Sequence, residues 1–183
     1  HVGNYRTAYF NYLAARATGG KFLLRIDDTD LNQSDDKYTD VIYDAMNWLG
    51  LDFDYAFAQS DYGYRYNVAI DWLLSNDSAY HDDGCVRLRL PDDMPTSWHD
   101  LIAGDIKITD DDLKHIDGLV LRKSDGTPTY NFASVMDDID CDINLIIRGT
   151  DHIPNSAKQI AIWIAIWKAL DTFFAFSPDN GRK

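Results

Sequence analysis

An α/β fold, a parallel sheet flanked by helices, is predicted by three features of the 183 residues. Short apolar runs of strand length are separated by longer stretches with helical spacing. Glycine-containing turns punctuate them. One apolar run, Lys21 to Ile26, passes straight into aspartates, and open parallel sheets bind ligands at the C-terminal ends of their strands.

Taken in order, His1-Val2-Gly3-Asn4 is a short polar and glycine turn. Tyr5 to Ala17 reads as a helix, with Tyr5, Ala8, Tyr9, Tyr12 and Leu13 near helical spacing. Thr18-Gly19-Gly20 stops it, because glycine tolerates the left-handed C-terminal position. The strand from Lys21 to Ile26 leads into Asp27-Asp28-Thr29-Asp30. A glycine turn at a helix N-terminus, beside a strand ending in carboxylates, is a place to bind a phosphorylated ligand.

Asp35 to Leu49 reads as a second helix with Val41, Ile42, Ala45, Met46 and Leu49 on one face, Ser34 as N-cap and Gly50 as stop. A third runs from about Tyr62 to Leu74, with Tyr66, Ala69, Ile70 and Leu73 together. From Asn76 to Gly84 the pattern breaks down. Val86-Arg87-Leu88-Arg89-Leu90 alternates as a half-buried strand would. Trp98 to Ile102, Asp105 to Thr109 and Gly118 to Arg122 are short helix or strand pieces. Ser124 to Pro128 is a tight turn, and Thr129 to Ala133 a strand-to-helix segment. Leu145-Ile146-Ile147-Arg148 reads as a buried parallel strand. Ala157 to Leu170, with Ile160, Trp163, Ile164 and Trp167, is a helix expected to pack on two sides. Phe173 to Phe176 reads as a last strand.

Composition sets bounds. The length suits one domain, or one with a small insertion, and 45% hydrophobic residues suffice for a core. No apolar run reaches membrane-spanning length, and no signal peptide is visible. Cys85 and Cys141 stand far apart without a metal-ligand pattern, which points to a reducing cytosol and no structural zinc. The net charge of −13 disfavours non-specific nucleic-acid binding. All 30 acidic residues are aspartate. Average usage would supply roughly ten glutamates. Read alone, Asp27, Asp28 and Asp30 suggest Mg²⁺, with ammonium binding and helix N-capping as the competing roles. His81, His99 and His115 have no pattern and read as surface residues.

Five blocks carry a resemblance: His1-Val2-Gly3-Asn4 with the helix and Arg25-Ile26-Asp27-Asp28-Thr29-Asp30; Asn47 to Asp54; Gln59-Ser60; Leu121 to Ala133; and Ile147-Arg148-Gly149-Thr150-Asp151-His152. In this order and spacing they resemble the catalytic domain of the glutamyl-tRNA synthetases, class I aminoacyl-tRNA synthetases. His1 to Asn4 stands where that class carries its His-Ile-Gly-His-type motif. The similarity is weak only between about Asp77 and Asp117.

The resemblance implies a Rossmann-like catalytic domain in two halves, residues 1–75 and 119–183, around a shortened connective insertion at 76–118. It implies that glutamate attacks the α-phosphate of ATP, with Mg²⁺ on the phosphates, and that the glutamyl group passes to the acceptor end of tRNA. The nucleophile is already ionised, so positioning and charge stabilisation carry the catalysis. His1, Gly3, Asn4 and His152 would bind ATP. His1 and Lys183 would be catalytic, Lys183 standing at the approach to a second, lysine-rich motif. For glutamate, Arg148 would receive the side-chain carboxylate, Asp27 the α-ammonium, and Tyr130 and Ser134 would line the pocket. Arg25 reads as structural, paired with neighbouring carboxylates. No metal-ligating residues are assigned. The segment from Tyr80 to Arg87 is too short for the family's zinc-bearing insertion.

The chain opens at the first motif and ends near the second, so a truncated core is expected. The missing glutamates suggest design: a synthetase rebuilt without the amino acid it would activate. The expected protein is a cytoplasmic monomer with no membrane contact. The alternatives are a glutaminyl-tRNA synthetase, a glutamyl-queuosine tRNA-modifying relative, or a catalytically weak scaffold.

Overall fold

The computed structural model describes residues 2–28 and 36–176, with side chains over 3–28 and 39–170. The chain divides into two compact units, His1–Gly63 with Ile143–Asp151, and Tyr64–Asp142 with His152–Lys183.

The first unit is built on a parallel strand pair. Helix α1 (Val2–Thr18) leads to β1 (Leu23–Ile26), helix α2 (Asp36–Leu49) crosses over, and β2 (Tyr55–Ala58) pairs with β1, Leu23 opposite Tyr55 and Ile26 opposite Ala58. Parallel neighbours need such a crossover. Phe22, Met46 and Leu51 form the core, with Ala8, Tyr12, Ala15, Leu24 and Ile42 against them. Tyr12 meets Phe22 edge-on at 5.6 Å between ring centroids.

The end of α2 shows how sequence fixes this core. Gly50 has φ +66°, and its N–H donates to Asn47 O at 3.1 Å while that of Leu51 donates to Met46 O at 3.0 Å. This is the paired closure that a left-handed residue allows, with its usual apolar contact between the two flanking positions. Leu51 and Met46, the two residues so joined, are both buried.

Asp54 ties three elements together. Its carboxylate accepts from the Phe22 N–H at 2.9 Å and from Arg16 Nη1 at 2.8 Å, and its own N–H donates to Phe22 O at 2.8 Å. The Phe22 N–H and then the Arg16 guanidinium hold this carboxyl below the usual carboxylate range.

The second unit has a three-stranded antiparallel sheet of order β3 (Ala79–Asp82), β4 (Cys85–Leu88), β7 (Val120–Arg122). A two-residue turn, Asp83–Gly84, joins β3 to β4 with positive φ at both positions, the hand that matches strand twist. A separate hairpin pairs β5 (Ser97–Asp100) with β6 (Gly104–Lys107). Helices α3 (Gly63–Ser75), α4 (Asp110–Ile116), α5 (Tyr130–Asp140) and α6 (Ile153–Phe176) complete the unit. Its core joins Ile70 and Leu73 of α3, Val86 and Leu88 of β4, Leu121, Phe132, Ile162 and Ile166. Full burial of each such aliphatic side chain contributes about 1.5–3 kcal/mol. Inside this core the Tyr66 hydroxyl donates to Asp137 Oδ1 at 2.8 Å.

Several expectations are corrected. The opening turn is the first turn of α1, since Val2 to Asn4 are already helical. On α1 the packed face is Ala8, Tyr12 and Ala15, while Tyr9 and Leu13 are exposed; Val41 of α2 is exposed as well. Leu145 to Arg148 forms no strand: the run is irregular, with Leu145 and Ile146 exposed. Phe173 to Phe176 continues α6 as helix. That helix buries Ala157, Ala161, Ile162, Ala165, Ile166 and Ala169, but Trp163 and Trp167 are 47% and 42% exposed, so it packs on one side. The two indoles shield one another, 5.2 Å apart. The proposed N-cap Ser34 lies outside the described residues. Among those described, no helix is long and apolar enough to cross a membrane.

Two stability outcomes follow. Tyr66→Phe leaves a buried carboxylate one donor short and should lower stability to urea by about 1–3 kcal/mol. Asp54, with its pKa depressed by folding, stabilises the fold above the unfolded pKa and loses that contribution as pH falls through the folded one. Asp54→Asn should therefore weaken the fold at neutral pH and flatten its loss of stability below about pH 4 in urea titrations.

Candidate active site

Helix α1 brings the opening motif to one end of the first unit. Gly3 and Asn4 occupy its first turn and are exposed. Backbone N–H groups and the helix dipole favour an anion there. His1 lies outside the described residues, as does Lys183.

The C-terminal end of β1 carries the aspartates. Arg25 Nε donates to Asp27 Oδ1 at 2.6 Å, with Nη2 at 3.4 Å from Oδ2. This bears out the structural reading of Arg25. An exposed pair of this kind adds little stability, but it orients the carboxylate. Asp28 is held differently: Oδ1 accepts from the Ser60 N–H at 2.8 Å and Oδ2 from Ser60 Oγ at 2.6 Å. The two aspartates thus have separate partners. Asp30 lies outside the described residues. Among those described, no group of three His, Cys or Asp side chains is placed to hold a metal ion.

Arg148 is half-buried, within the irregular run that belongs to the first unit. Asn11 of α1 donates through Nδ2 to Ile147 O at 2.9 Å and to Thr7 O at 3.0 Å. On the other side of Arg148, a Cβ on Gly149 would overlap the Asp151 carboxylate, so only glycine fits without moving it. Gly3, Asn4, Asp27 and Arg148 therefore share one unit.

The remaining candidates belong to the second unit. Tyr130 opens α5 and is exposed; Ser134, one turn later, is buried. The turn before them is set by Asp125, whose Oδ1 accepts from Thr127 Oγ1 at 2.6 Å and from its N–H at 2.9 Å, contacts that lower its pKa. His152 ends a short 3₁₀ turn, with Nδ1 3.3 Å from Asn155 Nδ2, and its carbonyl accepts from Ser156 Oγ at 3.5 Å.

Asn11, which holds the Ile147 carbonyl next to Arg148, is not singled out by the sequence motifs. Its signal was present, a lone amide between Phe10 and Tyr12 in an aromatic stretch. The motif that contains Ser60 does not reveal its partner Asp28.

A family model described as tRNA synthetases class I (E and Q), catalytic domain, matches residues 1–85 and 82–177. The chain belongs to this family. Its two matched stretches meet at the β3–β4 turn. Glutamate–tRNA ligase 2 of Neorickettsia sennetsu is 44% identical over 173 residues, covering 94% of this chain and 42% of that protein. Glutamate–tRNA ligase of Phenylobacterium zucineum is 37% identical over 228 residues, covering 100% of this chain and 47% of that protein. The chain spans less than half the length of these curated relatives. A crystal structure of a glutamate tRNA ligase from Elizabethkingia meningosepticum in complex with its amino acid superposes with a TM-score of 0.82. It is 24% identical, with 91% of this chain and 44% of that one covered, and it shares the Rossmann-like class I synthetase fold.

The Asp28–Ser60 contact fixes the strand end that presents Asp27. Ser60→Ala keeps the backbone N–H but removes one exposed charge-assisted hydrogen bond, and should lower stability to urea by up to about 1 kcal/mol. Ser60→Thr should retain most of it.

Proposed function

We propose that this chain is the catalytic core of a glutamate–tRNA ligase: it activates glutamate with ATP and passes the glutamyl group to the acceptor end of tRNA. The observation that carries the reading is the placement of Arg148. It is held on a clamped, irregular segment of the same unit as the α1 N-terminus and the aspartates of β1.

A guanidinium presents a planar fork that matches a carboxylate and discriminates against an amide. Arg148 receives the glutamate side chain. Asp27 binds the α-ammonium with acceptor capacity left over by Arg25, since a carboxylate has about four lone-pair sites. The resemblance assigns Tyr130 and Ser134 of α5 to the same substrate. It assigns Gly3, Asn4 and His152 to ATP, and His1 and Lys183 to its phosphates. The attacking carboxylate needs no base, so these residues act by position and charge.

Mg²⁺ travels with the ATP phosphates, where it neutralises charge. Asp27 and Asp28, already bound by Arg25 and Ser60, are not assigned as its ligands. Residues 76–118 are a shortened insertion between catalytic halves 1–75 and 119–183, a reading supported by the two-residue turn at Asp83–Gly84. A cytosolic monomer fits this reading.

ATP–pyrophosphate exchange with glutamate and with glutamine tests it. Glutamate should support exchange and glutamine should not. Arg148→Ala should reduce kcat/KM for glutamate about 10- to 100-fold, the loss of one charge-assisted contact. Preferential exchange with glutamine would favour the glutaminyl enzyme of the same family. No exchange, with no binding of a glutamyl-adenylate analogue, would leave a scaffold.

A further inference from the structure

The run from Ile143 to Gly149 has no helix or ladder to fix it. A side chain on irregular backbone is precise only where other groups pin that backbone. Arg148 sits in such a run, and the pin is visible one residue earlier. The carbonyl of Ile147 accepts from Asn11 Nδ2 at 2.9 Å, across 136 residues of sequence.

The geometry of Asn11 makes it more than an incidental contact. Its second amide hydrogen goes to Thr7 O, one turn back in its own helix, at 3.0 Å. Both partners are carbonyl oxygens, which only accept, so the amide must present its NH₂ to them. The bond within α1 orients the amide, and the other hydrogen then fixes Ile147. Asparagine is a poor residue for a helix interior, so the position costs α1 some helix propensity relative to alanine. The Ile147 carbonyl belongs to the peptide plane that carries the Cα of Arg148. Any shift of that carbonyl swings the guanidinium. Gly149, on the other side, leaves the Asp151 carboxylate the space that a Cβ would take.

We infer that Asn11 is a positioning residue for amino-acid recognition: its amide clamps the Ile147 carbonyl and so fixes the backbone from which Arg148 binds the substrate side-chain carboxylate. This rests on the role proposed above for Arg148. Asn11 also links the two ends of the chemistry. It lies two turns along the helix that begins at the phosphate-binding motif, roughly 10 Å from Asn4 along the axis. Amino acid and ATP are thereby referenced to one rigid element. A displacement of about 1 Å at a substrate contact can cost a hundredfold in rate.

The test compares Asn11→Asp, Asn11→Ser and Arg148→Ala in glutamate-dependent ATP–pyrophosphate exchange, with glutamate and ATP varied separately. Asn11→Asp sets a carboxylate against two carbonyls and should raise the KM for glutamate about tenfold, with the KM for ATP nearly unchanged. A merely structural defect would lower the active fraction and leave both KM values in place. Asn11→Ser, which cannot span to Ile147, should also speed amide hydrogen exchange over 146–149 in the unliganded chain. That readout stands whether or not the aspartate variant folds.

An unchanged glutamate KM in both Asn11 variants, with Arg148→Ala raising it, overturns this inference alone. An unchanged glutamate KM in Arg148→Ala overturns the role of Arg148 and this inference with it. Unaltered hydrogen exchange over 146–149 also overturns the clamp.

Discussion

The first unit depends on one weak element, the parallel pairing of β1 with β2. Each strand has four residues, and parallel pairs are slightly less stable per residue than antiparallel ones. The pair is secured at both ends by aspartate. At the entry, Asp54 joins β2 to the start of β1 and draws in Arg16 from α1. At the exit, Asp28 takes both donors of Ser60. These two side chains bracket the four paired positions. Asp27 stands between the last of them and the Asp28–Ser60 anchor. Scaffold and candidate binding residue are therefore adjacent positions of one strand end.

The absence of glutamate has a structural counterpart. Several carboxylates do local work, because aspartate is short enough to reach its own neighbouring backbone. Asp100 Oδ1 accepts from the N–H groups of Ile102 and Ala103 and shapes the β5–β6 turn. Asp112 completes a capping box with Thr109, accepting the Thr109 N–H at 2.9 Å. Glutamate or glutamine is the usual residue there. The three non-glycine residues of positive φ among those described, Asp77, Asp83 and Asp142, are all aspartate. Local polar side chains make that conformation tolerable. The acidity is thus partly turn and cap chemistry, not only a solvated surface. It leaves a net charge of −13, which any docking of nucleic acid must overcome with local cations.

What could be read in the sequence was what neighbours decide. The buried face of α3, the alternation of Val86 and Leu88, and the stops at Gly19 and Gly50 follow from spacing and glycine chemistry alone. The packed face of α1 did not follow. Tyr9 and Leu13 are as apolar as Tyr12, and only the position of Phe22 selects Ala8, Tyr12 and Ala15. Phe173 to Phe176 has strand-like composition but extends an existing helix, where each added residue needs no new nucleus. For the candidate site, motif order singles out Asp27 and Arg148 as candidates. The groups that hold their neighbours Asp28 and Ile147 come from 32 and 136 residues away, beyond any pattern of local spacing.

The misread run at Leu145 to Arg148 shows why such a site resists sequence reading. Its residues favour a strand, and a strand would have engaged its carbonyls in a ladder. Sheet geometry would then have set Arg148, with its side chain confined to one of two faces. Irregular backbone removes both constraints. The Ile147 carbonyl becomes available to a side chain, the Asn11 amide. The cost is exposure of Leu145 and Ile146, at 44% and 54%. A buried strand here would be better for stability. For the role proposed for Arg148, an open run held by one amide from α1 suits the aiming of a guanidinium, at the expense of the local propensity for strand.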